Sequence, residues 1–466
     1  MSDQRLRESL EALRHQPDAL VQIILQQAEV IARLTAQVAA LEARLRDVDD
    51  QNRGLRERVA TLEQTTARAA APFRIDPAKR QTTRGRCGRP PGRPGTARPH
   101  PTHIDADVEV PLAVCPHCAH PVRDVRPCVQ YIEEWPPVRV HVTRLTTYDG
   151  YCGHCACHVR STHPLQVSTA TGAAGVHLGA RALAIAALLN KHYGLTTRKT
   201  CAVLQTLGGL SLTPGGLTQA LARVATRVRA SYDALVQQIR AGPLVHSDET
   251  SWWVGGPGYW LWVFARPDLT VYRVAAARGR AVVTETLGPA YAGVVVSDCL
   301  ATYDGLPSPQ QKCYAHHLRA VRRVLEQGAS GYAEQWGQLL RAAMALKAAP
   351  PAAAPDLTRQ ALALAVDDWL AAPRTAPAEE ALRRRLAKQR DHLFTFLDYP
   401  DVPATNNLAE RQLRPAVIAR KLSCGNKTLA GARTWETLAS LAATCTQRGE
   451  SFLDFLVPRL QLSALR

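Results

Sequence analysis

Long apolar runs are missing from this chain. No run of about 18 consecutive apolar residues occurs in its 466 residues, so a membrane span is not expected. The segment from Met1 to Gln16 mixes charges and has no apolar signal core, which makes the cytoplasm the expected location. A chain of this length is also too long for one simple core, and we expect several domains.

Acidic residues are scarce relative to basic ones. The sequence has 40 Asp and Glu residues against 57 Lys and Arg residues, a net charge of +17. This balance predicts a polyanionic partner, but charge alone does not separate DNA from RNA or an acidic membrane surface. In the cytoplasm the 12 cysteines are expected to be free or metal-bound rather than paired in disulfides.

Residues 1–70 carry a heptad pattern of apolar residues from about Val21 to Gln64. The first series is Ile24, Ile31, Val38, Leu45 and Val59, and the second is Leu34, Leu41, Val48, Leu55 and Leu62. Asn52 falls in the first series, where a buried Asn typically fixes register and favours two strands. We therefore predict an α-helical coiled coil, or leucine zipper, that dimerises the chain. One amphipathic helix packed on its own domain is the alternative.

Residues 71–105 form a segment rich in proline, glycine and arginine. This composition breaks both helix and strand, and it predicts an extended basic linker. Two Gly-Arg-Pro repeats begin at Gly88 and Gly92, and they resemble the core of minor-groove DNA hooks. The alternative is a solvated spacer with non-specific affinity for phosphate. The arginines expected to contact DNA are Arg84, Arg86, Arg89 and Arg93.

Two Cys-x2-Cys knuckles define a zinc-binding module over residues 106–165. Four thiolates can bind one structural zinc ion in tetrahedral geometry. They belong to Cys115, Cys118, Cys152 and Cys155, and Cys128, Cys157, His117 and His154 are substitutes. The β-rich piece from Val138 to Val142 favours a zinc ribbon. Unrelated free cysteines are the alternative.

Residues 170–235 have a helical pattern. A segment from Lys199 to Leu207 precedes a glycine turn, and Thr213 opens a second helix that ends in basic residues. This order is typical of a helix-turn-helix that presents its second helix to the DNA major groove. Two packed helices without a DNA role would give the same pattern.

Residues 240–430 have the pattern of an α/β core. The predicted strands are Leu244–Trp253, Tyr259–Ala265, Thr270–Val274 and the buried Gly293–Ser297, with a helix at Arg280–Leu287. The region from about 304 to 400 is predicted as a helical insertion. Residues 431–466 are predicted to be C-terminal helices.

Three acids occupy informative positions in this core. Asp248 interrupts the first strand, Asp298 ends the buried strand, and Glu410 follows Asn406, whose side-chain oxygen can cap a helix start. Taken singly, the two aspartates could be turn or cap residues. Glu410 could simply form an ion pair one helical turn away, with Arg414.

Taken together, the three acids indicate a metal site. If the two strands are neighbours, the carboxylates of Asp248 and Asp298 converge, and a helix can add Glu410. Convergent carboxylates bind hard cations such as Mg²⁺ or Mn²⁺, which can activate a water or 3′-hydroxyl for phosphodiester chemistry. The cations expected to hold phosphate near Glu410 are Arg411, Arg414, Arg420 and Lys421.

These residues resemble those of a known family, the DDE transposases of bacterial insertion sequence family sixty-six. The matching stretches are His246–Thr250, Ser297–Tyr303, Cys313–Arg319, Asn406–Arg411 and Arg420-Lys421. The order of zipper, basic linker, cysteine-knuckle module and core also matches. The resemblance therefore covers nearly the whole chain.

The resemblance implies an RNase H-like core in which Asp248, Asp298 and Glu410 are the catalytic acids. It implies strand cleavage and transfer at the terminal repeats of a mobile element, with a divalent metal ion. DNA ends and target DNA would then be partners, beside two small accessory proteins of the same element. Arg411 and Arg414 would neutralise the DNA backbone near the scissile phosphate.

Other functions would use similar residues. A metal nuclease or Holliday-junction resolvase needs the same carboxylates, although such enzymes rarely carry a zipper, a basic arm and a zinc knuckle before the core. A zinc- and zipper-containing DNA-binding regulator, or an inactive transposase derivative, is the non-enzymatic alternative. Terminal inverted repeats flanking the gene would favour the transposase.

Overall fold

A computed structural model describes residues 17–70, 98–168, 176–328, 330–348, 358–371 and 373–461 of the protein. The chain divides into two units, residues 1–132 and residues 133–466. The predicted basic linker lies outside the described residues as far as position 97. Within the described part of the chain, no helix combines the length and the apolar character needed to cross a bilayer.

The first unit contains a long helix, α1 (Pro17–Ala70). The apolar side chains of the two heptad series that the structure describes face solvent along this helix and are 50–65% exposed. Residues that recur every seven positions on a helix form one stripe, so α1 carries an exposed apolar stripe. The predicted N-terminal helix is confirmed, whereas its pairing with a second copy stays a prediction.

The second unit begins with a short hairpin of β1 (Asp149–Cys152) and β2 (Cys157–Arg160). The two strands are antiparallel, with Cys152 opposite Cys157. The prediction of β structure from Val138 to Val142 is wrong, because the described residues from 131 to 148 contain no strand. The valines of this segment alternate with polar residues, but all three are exposed. An alternating run forms a strand only when a second strand pairs with it through backbone hydrogen bonds.

In the described residues, four α-helices follow the hairpin before the central sheet. They are α2 (Ala180–Ala187), α3 (Thr197–Gly208), α4 (Pro214–Arg227) and α5 (Arg229–Arg240). The Thr196 side chain caps α3 by accepting from the backbone N–H of Lys199, and Thr213 caps α4 in the same way. Gly209 ends α3 with a φ of 69°, as the predicted glycine turn requires. The two predicted helices are confirmed, and their DNA role stays a prediction.

A mixed sheet forms the centre of the second unit. Its described strands are β3 (Leu244–Trp252), β4 (Tyr259–Arg266), β5 (Leu269–Ala275), β6 (Val294–Ser297) and β7 (Gln310–Lys312), with helix α6 (Arg280–Leu287) between β5 and β6. Their spatial order is β5-β4-β3-β6-β7. The first three strands are antiparallel, whereas β6 pairs parallel to β3 and β7 parallel to β6.

The strand β7 lies within the region from about 304 to 400 that is predicted as a helical insertion, and the sequence pattern does not predict it. Its three residues, Gln310, Gln311 and Lys312, are polar yet buried. Neither periodicity nor composition marks so short a polar strand, because it is specified by its pairing with β6. The other four strands and the helix α6 agree with the sequence prediction to within two residues at each end.

Apolar cores cover both faces of the sheet. On one face, Val245, Trp262 and Val295 pack against the helices α2 to α6 and the C-terminal helix α14 (Phe452–Leu460). On the other face, Leu244 and Val296 pack against the predicted helical insertion. Its helices are α7 (Tyr314–Leu325), α8 (Gly331–Ala348), α9 (Arg359–Ala371), α10 (Pro377–Lys388) and α11 (Thr395–Asp398).

Two further helices follow the insertion, α12 (Asn407–Ser423) and α13 (Leu429–Arg448). The apolar face of α12, formed by Ala409, Leu413 and Ala416, packs in one cluster with Trp252 and Val263 of the sheet. This packing fixes the start of α12 beside the strand β3, where Asp248 lies.

Candidate active site

The parallel pairing of β3 and β6 brings two predicted acids together. His246 lies opposite Val296 in this pairing. Asp248 follows His246 by two residues, and Asp298 follows Val296 by two residues at the end of β6. Because side chains two residues apart on a strand share a face, both carboxylates point to the same face of the sheet. This is the face that the insertion and α12 cover. The strand adjacency on which the predicted convergence depends is therefore present.

Asp248 is a largely buried carboxylate that lies near three other carboxylates. Burial raises the pKa of Asp248 to about 7, and the nearby carboxylates of Glu249, Asp298 and Glu410 add to the rise. The N–H of Glu249 opposes it by donating a 2.8 Å hydrogen bond to Asp248 Oδ1. A bound cation would stabilise the charged form of such a carboxylate, because it offsets the repulsion from the neighbouring carboxylates.

Glu410 enters the site from the first turn of α12. Asn406 stands at the N-cap position of this helix, as predicted, but its side chain does not cap the helix. The side chain instead donates a 2.8 Å hydrogen bond to the carbonyl of Ser247 and lies 3.1 Å from His246 Nδ1. The capping prediction is wrong, because the buried amide of Asn406 forms its hydrogen bonds with residues of the strand β3 instead.

Three residues at the start of α7 surround Glu410. Arg319 Nη2 lies 3.3 Å from Glu410 Oε1, and His316 Nδ1 lies 4.0 Å from the same oxygen. Cys313 precedes the helix and is buried. The predicted ion pair between Glu410 and Arg414 does not form in the described structure, because Glu410 turns toward α7 while Arg414 faces solvent.

Sequence reasoning assigned no role to Cys313, His316 or Arg319. Their spacing of three residues places His316 and Arg319 on one face of a helix, with Cys313 at its start. That spacing and the family resemblance of the stretch from Cys313 to Arg319 were the available signals. Neither names the partner, because Glu410 is 91 residues away in the chain from Arg319.

Glu249 lies on the opposite face of β3 from Asp248. Its Oε1 accepts hydrogen bonds from Arg278 at 2.8 and 3.0 Å, and its Oε2 lies 3.4 Å from the Tyr303 hydroxyl. The carboxylate is buried and already paired with a cation. This arrangement gives Glu249 a structural partner that Asp248 lacks.

The predicted phosphate-binding cations differ in their surroundings. Arg411, Arg414 and Lys421 are exposed on α12. Arg420 is bound to the sheet, because its Nη1 donates to Thr250 Oγ1 at 3.0 Å and to the carbonyl and hydroxyl of Ser251. The predicted DNA contacts Arg84, Arg86, Arg89 and Arg93 lie outside the described residues.

The two cysteine knuckles have the same local geometry, each within its own unit. Backbone N–H groups of His117 and Cys118 lower the pKa of Cys115. The backbone N–H groups of Cys155 and His154 do the same for Cys152. Each knuckle is followed by an alanine in the left-handed region, Ala119 with a φ of 59° and Ala156 with a φ of 53°. A thiolate facing backbone N–H groups is suited to a metal ion.

Known proteins resemble part of this chain. The uncharacterised protein y4qI of Sinorhizobium fredii (strain NBRC 101917 / NGR234) is 23% identical over 290 residues, which cover 53% of each chain. The uncharacterised protein y4jO of the same strain is 36% identical over 83 residues, 18% of this chain and 26% of that protein. The chain thus matches about half the length of the first relative and less of the second.

A family match also covers part of the chain, and its range is known. Residues 175–434, which include the sheet, the insertion and the start of α13, match the family described as Transposase IS66 family. This range contains Asp248, Asp298 and Glu410 and amounts to more than half of the 466 residues. The protein therefore belongs to the IS66 family of transposases.

Proposed function

We propose that this protein binds the ends of a bacterial insertion sequence and catalyses DNA strand cleavage and transfer. Asp248, Asp298 and Glu410 act as its catalytic unit. The observation that carries the proposal is the parallel pairing of β3 and β6, which brings Asp248 and Asp298 together beside the helix start that carries Glu410. Burial chiefly raises the pKa of Asp248, and the carboxylates of Glu249, Asp298 and Glu410 add to the rise. Structural carboxylates are ordinarily paired with cations, as Glu249 is with Arg278, whereas Asp248 has no such partner in the described structure.

The strand order supports an RNase H-like assignment for this core. Three antiparallel strands are followed by two parallel ones, and the acids occupy β3 and the end of β6 beside it. In this arrangement the central strands hold two carboxylates rigidly, and α12 brings the third. Rigid elements position a site more accurately than loops do.

The donor set of the site fits a hard divalent cation. Its oxygens come from carboxylates, and a bound cation would offset both the burial of the Asp248 carboxylate and its repulsion by the neighbouring carboxylates, which together raise its pKa. Asp248, Asp298 and Glu410 would hold the ion. When bound, Mg²⁺ or Mn²⁺ supplies Lewis-acid activation of a water or 3′-hydroxyl and stabilises the leaving oxygen.

Residues around the acids would position them and the DNA. Arg319 fixes one oxygen of Glu410, and Asn406 ties the start of α12 to β3. The exposed cations Arg411, Arg414 and Lys421 lie on the same helix as Glu410, within reach of a phosphate backbone. The Arg420 contacts to Thr250 and Ser251 give that residue a positioning role instead.

Other parts of the chain would support DNA binding. The exposed stripe on α1 would pair two copies, as the two ends of an element require. The cysteine knuckles would hold a structural zinc ion, and the arginines from Arg84 to Arg93 would contact DNA phosphates. By family resemblance, two small proteins of the same element are further partners.

Conservative substitutions test the catalytic unit. Asp248→Asn, Asp298→Asn and Glu410→Gln should each abolish cleavage and strand transfer on DNA that carries the element's own ends, because a carboxamide brings no charge to offset the cation. Any double variant should be no worse than the worst single one, since the three act as a unit. DNA binding should survive in all of them.

Asp268→Asn is the matched control, because Asp268 is exposed in a turn at the far end of the β4–β5 hairpin. Glu249→Gln tests the assignment of the first acid, and it should affect folding stability rather than chemistry. Wild-type cleavage rates in all three catalytic variants would contradict the proposal and favour a DNA-binding regulator. Loss of cleavage with Glu249→Gln but not with Asp248→Asn would move the first acid to Glu249.

A further inference from the structure

A second kind of ligand set adjoins the carboxylates. Cys313 Sγ, one imidazole nitrogen of His316 and a carboxylate oxygen of Glu410 all lie within 4.8 Å of one another. In the described part of the chain, these three side chains form a group of Cys, His and acidic residues whose ligand atoms are already close enough to share one metal ion. Two helix starts create it, because Cys313 and His316 begin α7 and Glu410 lies in the first turn of α12.

The surroundings of these atoms suit a metal ligand set. Cys313 is fully buried, and its sulfur accepts a 3.1 Å hydrogen bond from the backbone N–H of Asn406. His316 Nδ1 is buried and makes no hydrogen bond in the described structure. That nitrogen lies 4.0 Å from Glu410 Oε1, too far for a hydrogen bond.

The spacing is close to that of a zinc site. Zinc bonds of about 2.1 Å to nitrogen and oxygen in tetrahedral geometry place these two atoms about 3.4 Å apart. Their separation of 4.0 Å therefore closes with a small side-chain rotation. Arg319 also contacts Glu410 Oε1, but its side chain is 52% exposed and can turn into solvent when a cation takes that oxygen.

We propose that Cys313, His316 and Glu410 form a binding site for a divalent cation of the zinc class, distinct in donor type from the all-carboxylate set. Sulfur and imidazole donors select zinc or cobalt over magnesium. Three protein ligands leave a fourth position open, as in catalytic rather than structural zinc sites. The inference rests on the proposed function only through Glu410, which both donor sets share.

Cobalt(II) is the probe, because a thiolate bound to cobalt gives a charge-transfer band. The full chain and its Cys313→Ser variant should be titrated with cobalt and compared by difference spectroscopy. The cysteine knuckles contribute equally to both spectra. We expect the wild type to show additional thiolate–cobalt intensity and to bind about one more ion per chain than Cys313→Ser. His316→Ala and Glu410→Gln should weaken this extra binding at least tenfold, since each removes one of three ligands.

Cys299→Ser is the matched control, because Cys299 belongs to a neighbouring Cys–His pair, 3.5 Å from His317 Nε2. It should keep the extra cobalt ion. Equal thermal unfolding of the variants shows that lost binding is not lost folding, and the serine hydroxyl can keep the hydrogen bond from Asn406. If Cys313→Ser does not fold, the same comparison is made with His316→Ala and Glu410→Gln, and unchanged cobalt binding in both would overturn the inference.

Identical cobalt spectra and stoichiometries for the wild type and Cys313→Ser would overturn the inference. Magnesium-dependent cleavage should be measured on the same proteins, so that failure of this metal site can be told apart from failure of the proposed function. Cleavage that requires Asp248 without any Cys313-dependent cobalt binding leaves the transposase standing and removes this site. Cobalt binding that depends on Cys313, in a protein whose cleavage does not depend on Asp248, supports this site and removes the proposed catalytic unit.

Discussion

The side-chain amide of Asn406 donates a 2.8 Å hydrogen bond to the backbone carbonyl of Ser247. This contact joins two segments 159 residues apart in the chain. Ser247 immediately precedes Asp248 on β3, and Asn406 immediately precedes the helix that carries Glu410. The remaining oxygen of the amide faces His246 Nδ1 at 3.1 Å, so His246 donates there. Asn406 thereby fixes the distance between two of the proposed catalytic acids.

We predict that Asn406→Ala separates stability from catalysis. The substitution leaves the Ser247 carbonyl and His246 without their buried partner, which costs roughly 1–3 kcal/mol of the free energy of unfolding. Cleavage should fall further than this loss of folded protein explains, at temperatures where the variant is still folded, because α12 is no longer tied to β3. Calorimetry and a cleavage assay on the same preparation measure the two effects.

Asn407→Ala is the control for this prediction, because Asn407 is the exposed neighbour in the same helix start. It should leave both measurements near the wild-type values. Equal cleavage rates for folded wild type and folded Asn406→Ala would show that the amide has no positioning role.

The strands and acids could be predicted because their signals are local. The apolar run of three valines before Asp298 marks a buried strand whatever the rest of the chain does, and the flanking apolar residues and the turn after Trp253 mark the strand that contains Asp248. The partners of Glu410 could not be predicted in this way. Arg319 and His316 reach it only because the insertion returns the chain to the sheet, and the side chain of Asn406 turned to a distant strand instead of its own helix. These contacts are tertiary, and local propensity does not encode them.

The stability of the metal-free protein should fall as pH rises through the titration of Asp248. Its pKa is raised from 3.8 to about 7, so the folded state binds its proton more tightly than the unfolded chain does. The stability from this proton is present in full below about pH 4 and is lost as pH rises through about 7. Asp248→Asn should therefore unfold at a temperature a few degrees higher than wild type at pH 8, with the gap closing near pH 4.

Divalent cations provide the converse measurement. Magnesium or manganese should raise the unfolding temperature of the wild type at pH 8, since they bind the folded carboxylates, but should raise that of Asp248→Asn much less. Asp268→Asn, exposed and outside the site, should follow the wild type in both experiments. An unfolding temperature that does not depend on the side chain at position 248 would contradict the charge repulsion assigned to Asp248.

The exposed stripe on α1 should drive dimerisation. Leu34→Asp together with Leu41→Asp places two charges in the stripe, and the chain should become monomeric in light scattering because charged residues are excluded from a coiled-coil seam. Ala36→Asp with Ala43→Asp adds the same charges on the opposite side of the same helix and should leave the dimer intact. Dimers of both variants would show that α1 does not hold the copies together.

The zinc prediction concerns two knuckles that share one local geometry. In each, backbone N–H groups lower the pKa of the first cysteine, and a left-handed alanine follows the second. If the knuckles share one structural ion, Cys118→Ser and Cys155→Ser should each lower the zinc content by about one ion per chain. The double variant should lose no more than either single one, because either knuckle alone supplies too few ligands.

Cys424→Ser is the control, because Cys424 is an exposed cysteine at the C-terminal end of α12, outside the predicted zinc-binding module. Its zinc content, by elemental analysis of protein purified under reducing conditions, should equal that of the wild type. A chelator should unfold the module and leave the sheet folded, since a structural zinc ion contributes folding free energy only to the residues that it joins. Additive losses in the double variant would mean that each knuckle binds its own ion. Unchanged zinc in all three variants would show that the cysteines are free thiols.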